Sequence, residues 1–147
     1  MEDVIILDLE KSETDRKKKF LKRYRKNKAL IDRLEDKIRL LDERLVKIKS
    51  PTFSDLPKGG NPVVTREDLL DEKRDLEIRV NRLKLKGKNI KLEITDVIDK
   101  IEDPRYAEVL ELFLINCKSF DEIALECGYT KRHIERLYKE AIKAVPY

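Results

Sequence analysis

The chain has 147 residues, enough for one domain or two small units. Charged side chains make up 44% of it and aromatic ones 6%, with no tryptophan, which excludes a thick aromatic core and suits long solvated helices. A net charge of +4 says little about partners by itself, so the placement of charge along the chain matters more.

Residues 1–11 read as an acidic N-terminal tail. Its short apolar run, Val4-Ile5-Ile6-Leu7, is open either to pairing as a strand with a partner or to remaining a flexible tail. That run is far too short for a signal or membrane-spanning segment.

Residues 12–102 carry the periodicity of an antiparallel coiled-coil hairpin. Phe20, Tyr24, Asn27, Ile31, Leu34, Ile38, Leu41, Leu45 and Ile48 alternate spacings of four and three. Leu69, Lys73, Leu76, Val80, Leu83, Gly87, Ile90, Ile94, Val97 and Ile101 do the same, so each arm presents an apolar heptad seam. Arms of roughly 38 residues would reach about 57 Å at a rise of 1.5 Å per residue. Between them a hinge at 50–64, SPTFSDLPKGGNPVV, stops the first helix, and Thr65 with Asp68 restarts the second. A seam needs a partner, and the other arm is the nearest, either in the same chain or by exchange between two. Three seam positions are unusual. Asn27 would fix register, Lys73 would extend its ammonium to solvent, and Gly87 marks a kink, a break or a close approach.

Arg16 to Lys28 holds nine basic residues and no acid, at the end where the second arm finishes with Glu93, Asp96, Asp99 and Glu102. The patch reads either as a solvated face balanced by those acids or as a phosphate-contacting surface, with Lys17, Lys18, Lys19 and Arg23 as its candidates.

Residues 103–147 read as a small three-helix, helix-turn-helix unit. Asp103-Pro104 starts a helix with proline in its first turn. Ser119 caps the next helix, with Glu122 completing a capping box. Ala124 is small where two helices approach, and Gly128 supplies the turn. Thr130 then caps a last helix whose Ile134 and Leu137 face inward. This spacing makes Lys131, Arg132, His133 and Arg136 project from a helix suited to entering a DNA major groove. His133, Lys139 and Lys143 would meet phosphates. Cys117 and Cys127 lack any metal-binding spacing and read as reduced, packed thiols, and with a single histidine no metal site is expected.

The segments DPRY, LFLINCKSFDEIA and GYTKRHIERLYKEAI, together with LPKGGNP in the hinge, resemble bacteriophage late-transcription regulators of the ArpU/RinA type. The C-terminal module of those proteins is similar to the −35-reading region 4 of sigma factors. The resemblance spans roughly residues 16–145 and is strongest from 103 onward. It implies a sequence-specific double-stranded DNA-binding regulator, an activator of late genes working in the cytoplasm of a bacterial host, with base contacts assigned to Thr130, Lys131, Arg132 and Arg136. Nothing in the chain is similar to the sigma regions that melt a promoter or read the −10 element, so an accessory regulator is expected, in contact with RNA polymerase or another regulatory protein. The competing function is a coiled-coil adaptor that grips a host or phage regulatory protein, and homodimerisation through part of the same surface stays open. No Walker loop or nucleophile elbow occurs, so neither an enzyme nor a cofactor is expected, and no membrane partner either.

Overall fold

The computed structural model describes residues 2–49 and 64–147, and every regular element in them is helical. The fold is all-α. In chain order the helices are α1 (Glu2–Leu21), α2 (Arg23–Lys49), α3 (Arg66–Asp99), α4 (Pro104–Leu110), α5 (Phe120–Cys127) and α6 (Lys131–Ala144). A π-helical turn, Glu111–Ile115, continues α4. Apart from Val64, the predicted hinge lies outside the described residues.

The N-terminal segment departs from expectation. Residues 2–11 are neither strand nor tail but the first turns of α1, and the boundary expected at 11/12 falls inside that helix. Glu2 and Asp3 at its start and Lys18 and Lys19 at its end match the helix dipole. Helical bonding carries through Lys22, with Lys22 N donating to Lys18 O and Lys26 N to Lys22 O at 3.0 Å each.

The chain divides into two compact units, one formed by Met1–Lys28 with Gly87–Tyr147 and the other by Ala29–Lys86. The division therefore falls within α2 and α3 rather than at 102/103. In the Ala29–Lys86 unit, the seam leucines Leu34, Leu41, Leu45, Leu69 and Leu76 are buried with Val80, and Ile31, Ile38 and Leu83 pack against them. Each such leucine contributes about 1.5–3 kcal/mol when fully buried. Lys84 pairs with Glu35 at 3.1 Å and Lys73 with Asp42 at 2.6 Å, so the two stretches run antiparallel within one chain. The expected extension of Lys73 to solvent ends on that carboxylate. Ile48, expected in the seam, is exposed. Thr65 and Asp68 form a complete capping box, each backbone amide donating to the other's side chain at 3.1–3.2 Å.

In the other unit the buried face widens. Leu21 is fully buried where Phe20 was the expected seam residue, and Ile98 is buried where Val97 and Ile101 are only partly so. The shift has a cause: residues of α4 and α6 join this core, including Leu110, Leu114, Ile134 and Ile142, and helices covered on more than one side bury more than a two-helix seam.

Gly87 does not break α3, which runs uninterrupted from Arg66 to Asp99. A side chain here would have to displace the Asn27 amide. A Cβ there would lie 2.6 Å from Asn27 Nδ2, in the same unit, while Asn27 is itself buried. Gly87→Ala should therefore lower stability by about 1–3 kcal/mol through overpacking, despite a gain of about 1 kcal/mol in helix propensity. The loss should shrink in an Asn27→Ala background, measured by urea unfolding of the two single variants and the double variant.

Candidate nucleic-acid interface

The C-terminal module is assembled by local signals at each helix end. Asp103 caps α4, its carboxylate accepting from Arg105 N at 2.9 Å, and Arg105 holds that carboxyl below the usual carboxylate range. The π-helical turn closes with Asn116 N donating to Glu111 O at 3.1 Å, and Cys117 then takes a left-handed conformation (φ 56°) that reverses the chain. Ser119 caps α5 through a bond from Glu122 N to its Oγ at 3.2 Å.

The turn after α5 is as the spacing demanded. Gly128 lies at φ 73°, and its amide and that of Tyr129 both donate to Ala124 O. No atom would obstruct a Cβ at Gly128, so backbone conformation alone calls for glycine. Ala124 is buried at this junction. Thr130 Oγ1 accepts from His133 N at 3.2 Å and opens α6.

On α6, Ile134, Leu137, Tyr138, Ala141 and Ile142 are buried, while Lys131, Arg132, Arg136, Lys139 and Lys143 are exposed. Of the predicted base-contacting set, Arg132 and Arg136 stand on the solvent face. Lys131 reaches back to Asp121 of α5 at 3.5 Å, and Thr130 spends one lone pair on its cap. His133 is half-buried, its ring edge-on to Tyr129 at 4.7 Å between centroids. Glu140 points the other way, accepting from Tyr106 Oη of α4 at 3.0 Å.

The basic stretch 16–28 is partly consumed by packing. Lys17 is a correction: it is buried, with Nζ donating to Lys143 O at 3.2 Å and ion-paired with Glu13 at 3.7 Å, so it is not a free phosphate contact. The reason is helical: residues 17 and 21 lie one turn apart on one face, and Leu21 is in the core. Arg23 pairs with Glu93 and lies over Phe20 at 4.4 Å. Lys18 is half-buried and Lys19 exposed. Arg25, not singled out in the sequence, holds its guanidinium 4.1 Å above the Phe113 ring and donates through Nε to Phe113 O at 3.3 Å. Its signal was available, since Lys17, Leu21 and Arg25 recur at intervals of four.

Phe113, Phe120 and Tyr138 form an aromatic cluster with centroids 4.6–5.2 Å apart. Neither cysteine is in a disulfide, Cys117 Sγ donating to Ile115 O at 3.7 Å, and burial pushes the Cys127 thiol up, away from a reactive thiolate. Among the described residues no helix is long and apolar enough to cross a membrane.

Comparison with protein-family models, curated proteins and solved structures gives no match.

Burial pushes the Tyr138 phenol up to about 12, with the nearby Arg25 charge acting in the opposite direction, and its hydroxyl has no hydrogen-bond partner among the described residues. An unfolded tyrosine ionises at about 10, so stability is intact below that pH and falls as pH rises toward 12. Tyr138→Phe should match or exceed the parent by up to about 1 kcal/mol at neutral pH, because a desolvated hydroxyl is removed. It should also flatten the alkaline loss, and urea midpoints taken at about pH 8 and about pH 11 measure both effects.

Proposed function

We propose that this protein is a sequence-specific double-stranded DNA-binding transcription regulator in which α6 enters the major groove. One observation carries the reading: α5, the Gly128 turn and the Thr130 cap leave α6 with one buried apolar face and a solvent face bearing Arg132, Arg136 and Lys139. A helix held in this way by a capped partner is what groove docking needs, and arginines near its start are suited to paired bonds with guanine. Lys139 and Lys143 further along, with Lys18 and Lys19 on α1, would meet phosphates. Lys131 would join them after exchanging Asp121 for a DNA contact, at small cost because that pair is exposed.

The similarity to phage late-gene regulators of the ArpU/RinA type supports an activator role, exercised in a bacterial cytoplasm beside RNA polymerase or another regulatory protein. The activity proposed is recognition without chemistry, so it rests on the chain's own side chains.

Selection of bound duplexes from a random library at fixed salt should yield a preferred site. Against that site, Arg132→Ala and Arg136→Ala should each cost about 1–3 kcal/mol and relax preference at one position. Lys18→Gln with Lys19→Gln should weaken binding to all duplexes alike and lower the slope of log affinity against log salt by about 0.9 for each phosphate no longer neutralised. Circular dichroism should be unchanged in every variant. Binding that survives all four substitutions would overturn this assignment of contacts, and a chain that selects no duplex would transfer the function to the adaptor reading.

A further inference from the structure

Two features along α1 go beyond the DNA-binding reading, which draws on Lys19 alone among their residues. Val4, Ile5, Ile6, Leu7 and Leu9 are 53–65% exposed, a run of large apolar side chains set among Glu2, Asp3, Asp8 and Glu10. Further along, a shallow depression of about 370 Å³ is lined by Arg16, Lys19, Phe20, Arg23, Lys26 and Tyr147. In it Phe20 stacks on Tyr147 at 4.5 Å, with Arg16 5.2 Å from the Tyr147 ring centroid and Arg23 over Phe20. One segment is acidic and apolar, the other basic and aromatic. Each has the chemistry the other lacks.

Within one chain they cannot meet. Both lie on the same helical rod, and Ile5 and Phe20 are about 22 Å apart along its axis. They do share a stripe: Glu2, Ile5, Leu9, Ser12, Arg16, Phe20 and Arg23 succeed one another at helical intervals of three and four. A second α1 laid antiparallel on this stripe, with a two-fold axis near Ser12 and Glu13, sets Ile5 and Leu9 against Phe20 and the Arg16 stem. The same register brings Glu2 to Arg23 and Asp8 to Lys19. Small Ser12 stands at the crossing. Because the arrangement is two-fold, every such contact forms twice.

We propose that α1 is a self-association surface whose occupant is a second copy of this chain, the acidic-apolar first turns of each α1 docking on the basic-aromatic surface of the other. The inference does not rest on DNA binding, although Lys19 is shared with the proposed phosphate contacts, and its test contains no nucleic acid. A contact of one helix pair is small, so a dimer of roughly micromolar dissociation constant is expected, weakened by salt because its charges are at the rim.

Sedimentation equilibrium of the full chain, from about 1 to about 200 μM, should show the mass doubling, with a dissociation constant that rises with salt. Asp8 and Lys19 are both exposed, which makes them suitable for exchange of charge. Asp8→Lys alone and Lys19→Glu alone each place two like-charge pairs in the dimer and should weaken it at least about ten-fold. An equimolar mixture of the two variants should recover wild-type association, since every pair in the mixed dimer is again of opposite sign. Ile5→Lys should be monomeric with unchanged helicity by circular dichroism. A wild-type chain that stays monomeric throughout overturns the proposal, as does a dimer indifferent to all three substitutions. So does a mixture no tighter than its components. A monomer whose tyrosine fluorescence changes on adding oligothymidylate would assign the Phe20–Tyr147 surface to single-stranded nucleic acid and equally overturn it.

Discussion

Lys17, Leu21 and Arg25 stand one above another on a single face, and the unit formed by Met1–Lys28 and Gly87–Tyr147 is fastened along that line. Leu21 is fully buried between two cations that are spent on carbonyl groups. Lys17 satisfies Lys143 O near the end of α6, where orphan carbonyls and the negative end of the helix dipole both favour a positive charge. Arg25 does the same for Phe113 O in the π-helical turn and covers the Phe113 ring. Truncating either cation would remove the bond that its carbonyl accepts across the unit. The orientation of the α6 solvent face thus depends on two positive charges that an inventory of charge would assign to DNA.

This sorting of like charges explains what the sequence could and could not convey. Helix starts were legible because capping is local: Thr65 with Asp68, Asp103, Ser119 and Thr130 all act on amides within three residues. The Gly128 turn was legible for the same reason. Seam residues in Ala29–Lys86 could be read from heptad spacing, because two helices covering each other bury only that stripe. Near Leu21 and Ile98 the spacing failed. There a third and a fourth helix join the core, and the identity of the buried face depends on elements remote along the chain. The fates of Lys17 and Arg25 are tertiary in the same sense.

Other features have no sequence signature. The π-helical turn and the left-handed Cys117 together redirect the chain between α4 and α5, and neither glycine nor proline marks them. A non-glycine residue in that conformation costs on the order of 1 kcal/mol, offset here by the burial of Leu112 and Leu114 on the turn it terminates. Residues 2–11 illustrate the opposite case, an acidic apolar stretch whose helix is set by continuity with residues 12–21.

Gly87 shows how a residue can be fixed by its neighbour's bulk. The backbone at this point is ordinary helix, yet Asn27 Nδ2 occupies the space a methyl group would need. Sequence change at the two sites is therefore ordered in time. Growth at position 87 is least costly once position 27 has shrunk, and a lineage that takes the steps in reverse has first to displace the Asn27 amide. Related chains should consequently carry glycine opposite asparagine, or a larger residue opposite a smaller one, and seldom the bulky combination. A packing contact at one glycine becomes, across generations, a rule about the order of change.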